Sequence, residues 1–284
     1  MSQVFRSLIV KPISIGGALL DAGKITVADA ERILRLQKEK GLRFGDAGKA
    51  LNLITEEDIQ QSLSQQFDFS FLADTESGLS DQLIAAYKPF SPQVEVLRAI
   101  RSQLMLRWFT SQRKSLAIVS AAAQEGRSYL AANLAIVFSQ LGERTLLIDA
   151  DLRNPRQHLL FNINEKQGLS DLLANRADFS VIAKISGLKE LSILTAGTIP
   201  PNPQELIGRG LAKLLEQFAL DYDVILIDTP PASQGSDVQL LAAKAMGALL
   251  LARLNKSRLT DLDMLKSSLE NSGAACVGSV INDF

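Results

Sequence analysis

The sequence predicts a doubly wound α/β domain with a mostly parallel sheet, preceded by a small all-α domain. Two observations predict this class. From residue 115 onward, short runs rich in Leu, Ile and Val alternate with helical patterns, and right-handed crossovers between such strands place helices on both faces of a parallel sheet. In residues 1–72 only helical patterns occur, and they repeat along the chain.

The elements of the α/β domain can be taken in chain order. The strand candidates are Ser115–Ser120, Thr145–Ile148, Leu191–Thr195, Val224–Ile227, Ala248–Arg253 and Ala275–Ile281. Helical patterns separate them at Leu130–Gln140, Gln204–Phe218, Ser236–Lys244 and Leu259–Asn271. A further apolar stripe at helical spacing covers Glu95–Trp108, before the first strand candidate. Strands that alternate with helices in this way indicate βαβ units.

The first strand candidate runs into a loop of small residues and then into a helix. The loop reads Ala121-Ala122-Ala123-Gln124-Glu125-Gly126-Arg127-Ser128, and it fits the phosphate-binding pattern G-x-x-x-x-G-K-S/T at Gly126 and Ser128. Ala121 replaces the first glycine, and Arg127 replaces the lysine with a wider, planar cation. Because backbone N–H groups and a helix N-terminus converge on the anion in such loops, we predict a P-loop here.

Two further strand candidates end in carboxylates. Asp149 and Asp151 follow the second strand candidate, and Asp228 ends the fourth. The carboxyl ends of parallel strands form the edge at which α/β folds bind ligands. Mg²⁺ prefers a hydroxyl, one or two carboxylates, water and phosphate oxygens; Ser128, Asp228 and the Asp149/Asp151 pair supply such a set, with Ser128, Asp149 and Asp228 as the expected ligands. The plainer interpretation is strand-end capping, which three matches in the right order argue against.

Taken together, the motifs A-x-x-x-x-G-R-S, L-L-I-D-A-D-L-R and I-L-I-D-T-P-P resemble the bacterial tyrosine autokinases (BY-kinases) of polysaccharide export. Glu95–Arg101 fits their E-x-x-R-x-x-R helix, and Ala196–Leu206 fits their A-G-x-x-P-P-N-P-x-E-L segment. The resemblance covers residues 80–284, and the arginine in the loop is most similar to the exopolysaccharide chain-length-determinant branch. It implies a protein-tyrosine kinase that uses ATP and Mg²⁺ and regulates exopolysaccharide chain length and export.

The resemblance also assigns roles to residues of the phosphate site. Arg127 stands in for the phosphate-binding lysine, and Gly126 and Ser128 bind the nucleotide beside it. Asp149 and Asp151 lie next to the γ-phosphate, where one polarises the attacking tyrosine hydroxyl and the other helps to hold the metal. Phosphoryl transfer depends mainly on positioning and charge neutralisation, so this small set is chemically sufficient. The expected catalytic residues are therefore Arg127, Asp149 and Asp151.

Outside the phosphate site the resemblance implies a purine contact and two kinds of partner. Asn282, at the end of the last strand candidate, corresponds to a position that contacts the purine. Glu95, Arg98 and Arg101 correspond to the residues through which these kinases assemble into rings. For these three the plainer interpretation is a solvated helix face with an internal salt bridge, worth about 0.5 kcal/mol at most. The second partner is a membrane-embedded chain-length or co-polymerase protein whose cytoplasmic tail activates the kinase.

The tyrosines limit the choice of phosphoacceptor. The family ends in a tyrosine-rich tail, whereas this sequence ends in Asn282-Asp283-Phe284 and contains three tyrosines, Tyr87, Tyr129 and Tyr222. We expect structural roles for Tyr129 and Tyr222, and we expect Tyr87 to be the tyrosine that reaches another active site. Two alternatives to the kinase stay open: a partitioning-type switch ATPase, and a nucleotide-binding pseudokinase scaffold of the export machinery.

Composition argues against several other classes. A formal net charge of −1 without a long Lys/Arg run gives no electrostatic case for a nucleic-acid partner. The single cysteine, Cys276, favours a reducing compartment, and the single histidine, His158, has no partner for a zinc site. No apolar run approaches the roughly 20 residues of a membrane span. We therefore expect a cytoplasmic protein, recruited to the inner face of the membrane by its partner.

Residues 1–72 contain an internal repeat of two units. The pairs that share a spacing of 29 residues are Gly16 and Gly45, Thr26 and Thr55, Asp29 and Asp58, and Gln37 and Gln66. Each threonine is expected to begin a helix as its N-cap, and a compact four-helix domain is the simplest architecture. We divide the chain accordingly into a helical tandem-repeat regulatory domain (residues 1–72), a linker (73–92) and a P-loop kinase or ATPase domain (93–284).

The repeat resembles the N-terminal regulatory domain of type II secretion and pilus-assembly ATPases, in which such tandem units bind cyclic di-GMP. The second unit reads Arg43-Phe44-Gly45, whereas Ser14-Ile15 precedes the glycine of the first unit. The resemblance therefore implies Arg43 and Gly45 as contacts of a regulatory nucleotide. The favoured alternative is a packing or partner-docking module built on the same fold.

Overall fold

The computed structural model describes residues 14–56, 58, 59, 62, 72 and 78–283. The chain divides into two compact units, Met1–Phe71 and Leu72–Phe284, and each is described by itself. Gln66 of the predicted repeat, and residues 73–77 of the predicted linker, lie outside the described residues.

In the first unit the helices are α1 (Ile15–Asp21), α2 (Val27–Lys40) and α3 (Phe44–Ala50), and residues 56, 58, 59 and 62 are helical as well. Both threonines cap helices in the same way. The Asp29 N–H donates to Thr26 Oγ1 at 3.2 Å, and the Thr26 N–H donates back to the Asp29 carboxylate at 3.1 Å. The Asp58 and Thr55 N–H groups form the same pair of bonds at 3.1 and 2.9 Å. These reciprocal capping boxes confirm the predicted helix starts.

The repeated glycines of this unit allow two helices to pack closely. A Cβ on Gly16 would lie 3.0 Å from the Phe44 ring, and a Cβ on Gly45 would lie 2.9 Å from Ile59 Cδ1. Leu19, Ile33 and Ile59 belong to the buried cluster around which these helices pack. Close helix packing therefore explains the presence of both glycines without a bound ligand.

The second unit contains one seven-stranded sheet in the order β3-β4-β2-β5-β1-β6-β7. Its strands are β1 (Ser115–Ser120), β2 (Thr145–Asp149), β3 (Ala183–Lys184), β4 (Leu191–Leu194), β5 (Val224–Asp228), β6 (Gly247–Arg253) and β7 (Ala275–Asn282). All neighbours are parallel except β3, which is antiparallel to β4. The six predicted strands are confirmed, and the two-residue β3 was not predicted because it is too short to show a period.

Helices cover both faces of this sheet. They are α4 (Ile84–Tyr87), α5 (Pro92–Arg107), α6 (Arg127–Ser139), α7 (Gln157–Leu160), α8 (Leu169–Leu173), α9 (Pro203–Asp221), α10 (Asp237–Ala245) and α11 (Leu259–Asn271). Side chains of a strand alternate between its faces: Leu116 and Ile118 of β1 belong to the core that includes α5 and α6, whereas Ala117 and Val119 belong to the core that includes α9 to α11. This confirms the doubly wound prediction.

The compact second unit starts at Leu72, so the described part of the predicted 73–92 linker, residues 78–92, belongs to it. Leu83, Ala85 and Ala86 are fully buried in the core on the α6 side. The Ala85 N–H also donates to the Asn133 side chain of α6 at 2.9 Å. This apolar stretch therefore packs as part of the α/β unit. Within the described ranges, no helix combines the length and the apolar character needed to cross a bilayer.

Candidate active site

The loop between β1 and α6 has the backbone of a strand-to-helix turn. Gly126, immediately before α6, has φ of 99°, and Gln124 has φ of 61°. The glycine matches the predicted pattern because a left-handed conformation is least costly without a Cβ. Helix α6 therefore starts at Arg127, with Ser128 in its first turn.

Arg127 points into the protein and joins the loop to the end of β5. Its Nε donates to the Thr229 carbonyl at 2.9 Å, and its Nη1 donates to the Ala122 carbonyl at 3.0 Å and to the Ser120 hydroxyl. The side chain is 8% exposed. Burial lowers the pKa of Arg127, while the nearby carboxylate of Asp228 opposes that shift. An arginine fills this place well because its donors spread over a planar fork.

The two acidic strand ends meet as predicted. Asp149 and Asp228 are partners in the register of β2 and β5. One Asp149 oxygen accepts from the Arg156 and Gln157 N–H groups at 2.9 and 2.8 Å, and the other accepts from the Asp151 N–H at 3.2 Å. Asp149 is fully buried, and burial together with the neighbouring Asp228 carboxylate raises its pKa well above the usual range.

Asp228 has one paired oxygen and one unpaired oxygen. Its Oδ2 accepts from Gln157 Nε2 at 2.8 Å, whereas its Oδ1 is buried without a hydrogen-bond partner among the described residues. Burial raises the pKa of Asp228, and the hydrogen bond from Gln157 and the charge of Arg127 oppose that shift. An unpaired buried carboxylate oxygen is costly unless a donor or a cation reaches it.

Asp151 occupies the turn after β2. One of its oxygens accepts from the Asn154 N–H at 2.9 Å and from the Arg153 N–H at 3.3 Å. Arg153 in turn donates to Asp237 at 3.1 Å. A cavity of about 440 Å³ opens beside Arg153 and is lined by residues 201–205 of the predicted N-P-x-E-L segment. That segment therefore lies next to the turn that carries the second predicted catalytic carboxylate.

The chemistry of this donor set fits Mg²⁺. The site offers the unpaired Asp228 oxygen, the adjacent Asp149 carboxylate and the Ser128 hydroxyl. In the described part of the chain, no group of three or more His, Cys, Asp or Glu forms a metal cage. Mg²⁺ does not need such a cage, because it is usually bound by one or two carboxylates with substrate phosphates and water.

Residues that follow β6 and the last residue of β7 also contact the phosphate loop. Asn282 donates to the Glu125 carbonyl at 3.2 Å, so it lies beside the loop. Lys256 donates to the Ala123 and Gln124 carbonyls at 3.2 and 3.3 Å. The Glu125 carboxylate is buried and accepts from the Ala122 N–H at 2.9 Å and from the Ser257 hydroxyl. Sequence reasoning missed Lys256, Ser257 and Glu125, since none of them stands at a fixed position of a motif. The purine contact of Asn282 stays a prediction.

Gln157 is the principal residue that the sequence did not indicate. It is fully buried, its N–H donates to Asp149, and its side chain donates to Asp228. It is the first residue of the short helix α7, eight residues after the end of β2, where neither periodicity nor a motif points to it.

The predicted assembly helix does not present its three residues to the same surroundings. Glu95 and Arg98 form an ion pair within α5, and Arg98 lies over the Phe90 ring at 5.8 Å. Arg101 donates to the Val137 carbonyl at 2.7 Å, near the end of α6. Burial lowers the pKa of Arg101. The internal salt bridge of the plainer interpretation is therefore present, and Arg101 also has an intramolecular role.

The three tyrosines all contact the protein interior. The Tyr87 hydroxyl donates to the Leu79 carbonyl at 3.0 Å, and the ring packs against the core. Burial raises the pKa of Tyr129. Tyr222 contacts Phe218 edge-on, with ring centroids 6.4 Å apart. Tyr87 is thus held more firmly than its place in the predicted linker indicated.

The fold, the loop and the paired carboxylates define a P-loop NTPase, a class of nucleotide-binding proteins. Residues 111–262 match the family model ParA, described as NUBPL iron-transfer P-loop NTPase. The tyrosine-protein kinase YwqD of Bacillus subtilis is 35% identical over 207 residues, which cover 72% of this chain and 87% of YwqD. The tyrosine-protein kinase etk of Escherichia coli is 30% identical over 200 residues, or 70% of this chain and 28% of etk.

Solved structures agree with these relatives. The chimerical protein CapA2B2 matches with a TM-score of 0.67 and 33% identity, covering 80% of this chain and 98% of that chain. The kinase domain of E. coli ETK matches with a TM-score of 0.68 and 30% identity, covering 71% and 79%. The chain therefore belongs to the bacterial tyrosine-protein kinase family, as its motifs predicted. It spans about a quarter of the length of the longer relative etk. The likeness of the first unit to secretion-ATPase domains stays a prediction.

Proposed function

We propose that this chain is an ATP-dependent protein-tyrosine kinase that regulates exopolysaccharide chain length and export. One observation carries the proposal: Asp149 and Asp228 stand in register beside the phosphate loop, and one Asp228 oxygen is left unpaired in the described structure. The relatives named as tyrosine-protein kinases support the choice of reaction.

The residues divide the work of phosphoryl transfer. Ser128, Asp149 and Asp228 would hold Mg²⁺, which neutralises charge on the transferring phosphoryl group when it is bound. Asp149 is fully buried and accepts three backbone N–H bonds, whereas Asp151 retains 7% exposure. We therefore assign proton acceptance from the attacking tyrosine hydroxyl to Asp151. Arg127 supplies positive charge beneath the loop.

The acceptor tyrosine belongs to another molecule in this proposal. Tyr87 keeps its hydroxyl on Leu79, so its phosphorylation requires that segment to open. A tyrosine on the cytoplasmic tail of a membrane-embedded chain-length or co-polymerase protein avoids that cost. This partner would recruit a cytoplasmic kinase to the inner face of the membrane, and no nucleic acid is involved. Glu95 and Arg98, with Arg101 behind them, would contribute to a homo-oligomer.

The first unit is proposed as a regulatory module. Arg43 is exposed at the start of α3 and makes no side-chain capping bond. Because packing accounts for Gly45, Arg43 is the residue on which cyclic di-GMP binding depends. Calorimetry of the full chain with cyclic di-GMP tests this, with Arg43→Ala as the comparison. Heat that disappears in the variant would support the nucleotide, and no heat from the wild type would leave partner docking as the role.

Radiolabel transfer from γ-labelled ATP tests the kinase itself. The wild type and the double variant Asp149→Ala/Asp151→Ala are incubated with Mg²⁺ and the candidate partner tail, and the labelled residue is located by mass spectrometry. Acid-stable label on tyrosine that the double variant loses is the expected result. Nucleotide binding without any labelled protein would contradict it. ATP hydrolysis stimulated by assembly would then indicate a switch ATPase, to which the ParA match points, and no hydrolysis would indicate a pseudokinase scaffold.

A further inference from the structure

Gln157 touches each of the three predicted metal-binding residues. Its backbone N–H donates to Asp149 at 2.8 Å, and its Nε2 donates to Asp228 Oδ2 at 2.8 Å and to the Ser128 carbonyl at 3.2 Å. The side chain is fully buried. One residue thus connects the ends of β2 and β5 with the first turn of α6.

The orientation of the Gln157 amide follows from its partners. The Ser128 carbonyl and the Asp228 carboxylate are both acceptors, so the NH₂ group must face them. The amide oxygen Oε1 consequently points elsewhere, and it is buried without a partner in the described structure. Asp228 Oδ1 shares this property. Each of these two unpaired acceptors calls for a donor or a cation, because buried polar groups are normally satisfied.

We propose that Gln157 is a positioning residue for the metal site. It holds Asp228 by Oδ2 so that Oδ1 faces the metal, and it offers Oε1 to a water molecule of the Mg²⁺ hydration shell. Mg²⁺ keeps several of its waters in proteins, so such an acceptor has a defined use. The proposal rests on the proposed phosphoryl-transfer function, and it deepens that function by adding a residue behind the metal ligands.

A purely structural role is the competing explanation, and the chain offers a matched control for it. Gln140 is a half-buried glutamine whose Nε2 also donates to a backbone carbonyl, that of Ala85, at 2.9 Å. It lies at the far end of α6, away from the carboxylates. Gln157→Met and Gln140→Met each remove an amide that donates to a backbone carbonyl, and only Gln157 also donates to a predicted metal ligand. A change in Mg²⁺ dependence confined to Gln157→Met therefore distinguishes a role at the metal site from general packing.

The experiment measures how Mg²⁺ tightens the binding of fluorescent N-methylanthraniloyl-ADP. The full chain is titrated with Mg²⁺, and parallel measurements in EDTA give the affinity without metal. Loss of a residue that orients metal ligands typically costs 10- to 100-fold in metal affinity or activity. We expect Gln157→Met to raise the Mg²⁺ midpoint by about tenfold or more. The affinity of Gln157→Met for the fluorescent ADP in EDTA should stay within about twofold of the wild-type value. Gln140→Met should keep the wild-type Mg²⁺ midpoint.

Each outcome has a distinct meaning. An unchanged midpoint in Gln157→Met, or an equal change in Gln140→Met, would overturn the positioning role. If Gln157→Met does not fold, Gln157→Asn, which keeps the amide but is one methylene shorter, must raise the midpoint for the proposal to stand. Mg²⁺-dependent ADP binding without phosphotyrosine would overturn the kinase alone. A wild type whose ADP binding ignores Mg²⁺ would overturn both.

Discussion

Arg127→Lys restores the residue that phosphate loops usually carry, and the structure predicts that it weakens the fold. The guanidinium reaches the Thr229 carbonyl through Nε and the Ala122 carbonyl and Ser120 hydroxyl through Nη1. A lysine has a single nitrogen, which cannot serve both sides of this arrangement. Thr229 and Ser120 are both fully buried, so whichever side the lysine serves, an acceptor on the other side loses its partner without gaining water.

The size of the effect follows from that lost partner. Leaving one buried acceptor unsatisfied costs about 1–3 kcal/mol, so we expect the free energy of unfolding of the second unit to fall by about 2 kcal/mol. Arg253→Lys is a matched control, since Arg253 donates to the Gln124 carbonyl of the same loop at its exposed side. That variant should change stability by less than about 0.5 kcal/mol.

Urea unfolding followed by tryptophan fluorescence is the assay. Trp108 is the only tryptophan of the chain, is 4% exposed, and donates from Nε1 to the Ser115 carbonyl at 2.9 Å. Its signal therefore reports on the second unit. If Arg127→Lys unfolds at the wild-type urea concentration with the same slope, the three bonds contribute nothing in solution and the reasoning fails.

Three further predictions concern single residues. Burial raises the pKa of Asp228 in the folded state above its ordinary value of 3.8. Between these two pKa values the folded protein binds more protons than the unfolded chain, so the free energy of unfolding falls as the pH rises through that interval. Asp228→Asn should therefore exceed the wild type in urea resistance at pH 8 without nucleotide, and the difference should shrink toward pH 4. A Cβ on Gly247 would overlap the Trp108 ring, so Gly247→Ala should cost about 1–3 kcal/mol and alter the fluorescence spectrum; an unchanged spectrum would contradict the packing. Asn282→Ala should weaken ATP binding about fivefold, roughly the value of one hydrogen bond, and should leave CTP binding unchanged. Nucleotide competition measures both affinities, and equal losses for ATP and CTP would argue against a purine contact.

The sequence predicted most of the sheet and the identity of the acidic strand ends. Buried parallel strands read as continuous apolar runs, which is why Ser115–Ser120 was predicted with its observed bounds and Val224–Ile227 to within one residue. The capping boxes of the first unit were equally readable, because Thr26 and Thr55 each precede an aspartate by three residues. Local chemistry determines these features.

The parts that sequence did not indicate depend on contacts between distant segments. Gln157 acquires its role only when β2 and β5 lie side by side, and Arg127 finds the Thr229 carbonyl 102 residues away. Arg101 fits the assembly motif, yet the packing of α5 on α6 brings it to Val137. No periodicity or spacing rule encodes such tertiary hydrogen bonds.

Helix α6 is enclosed on nearly every side: eleven of its 13 residues are buried. From Leu130 onward its backbone amides are hydrogen-bonded within a buried helix, so we expect their hydrogen exchange to require the whole second unit to unfold. In deuterium-exchange experiments this helix should give the slowest peptides of the chain. It would thus provide an internal standard for global stability, against which exchange in the loop before Arg127 reports what bound nucleotide does locally.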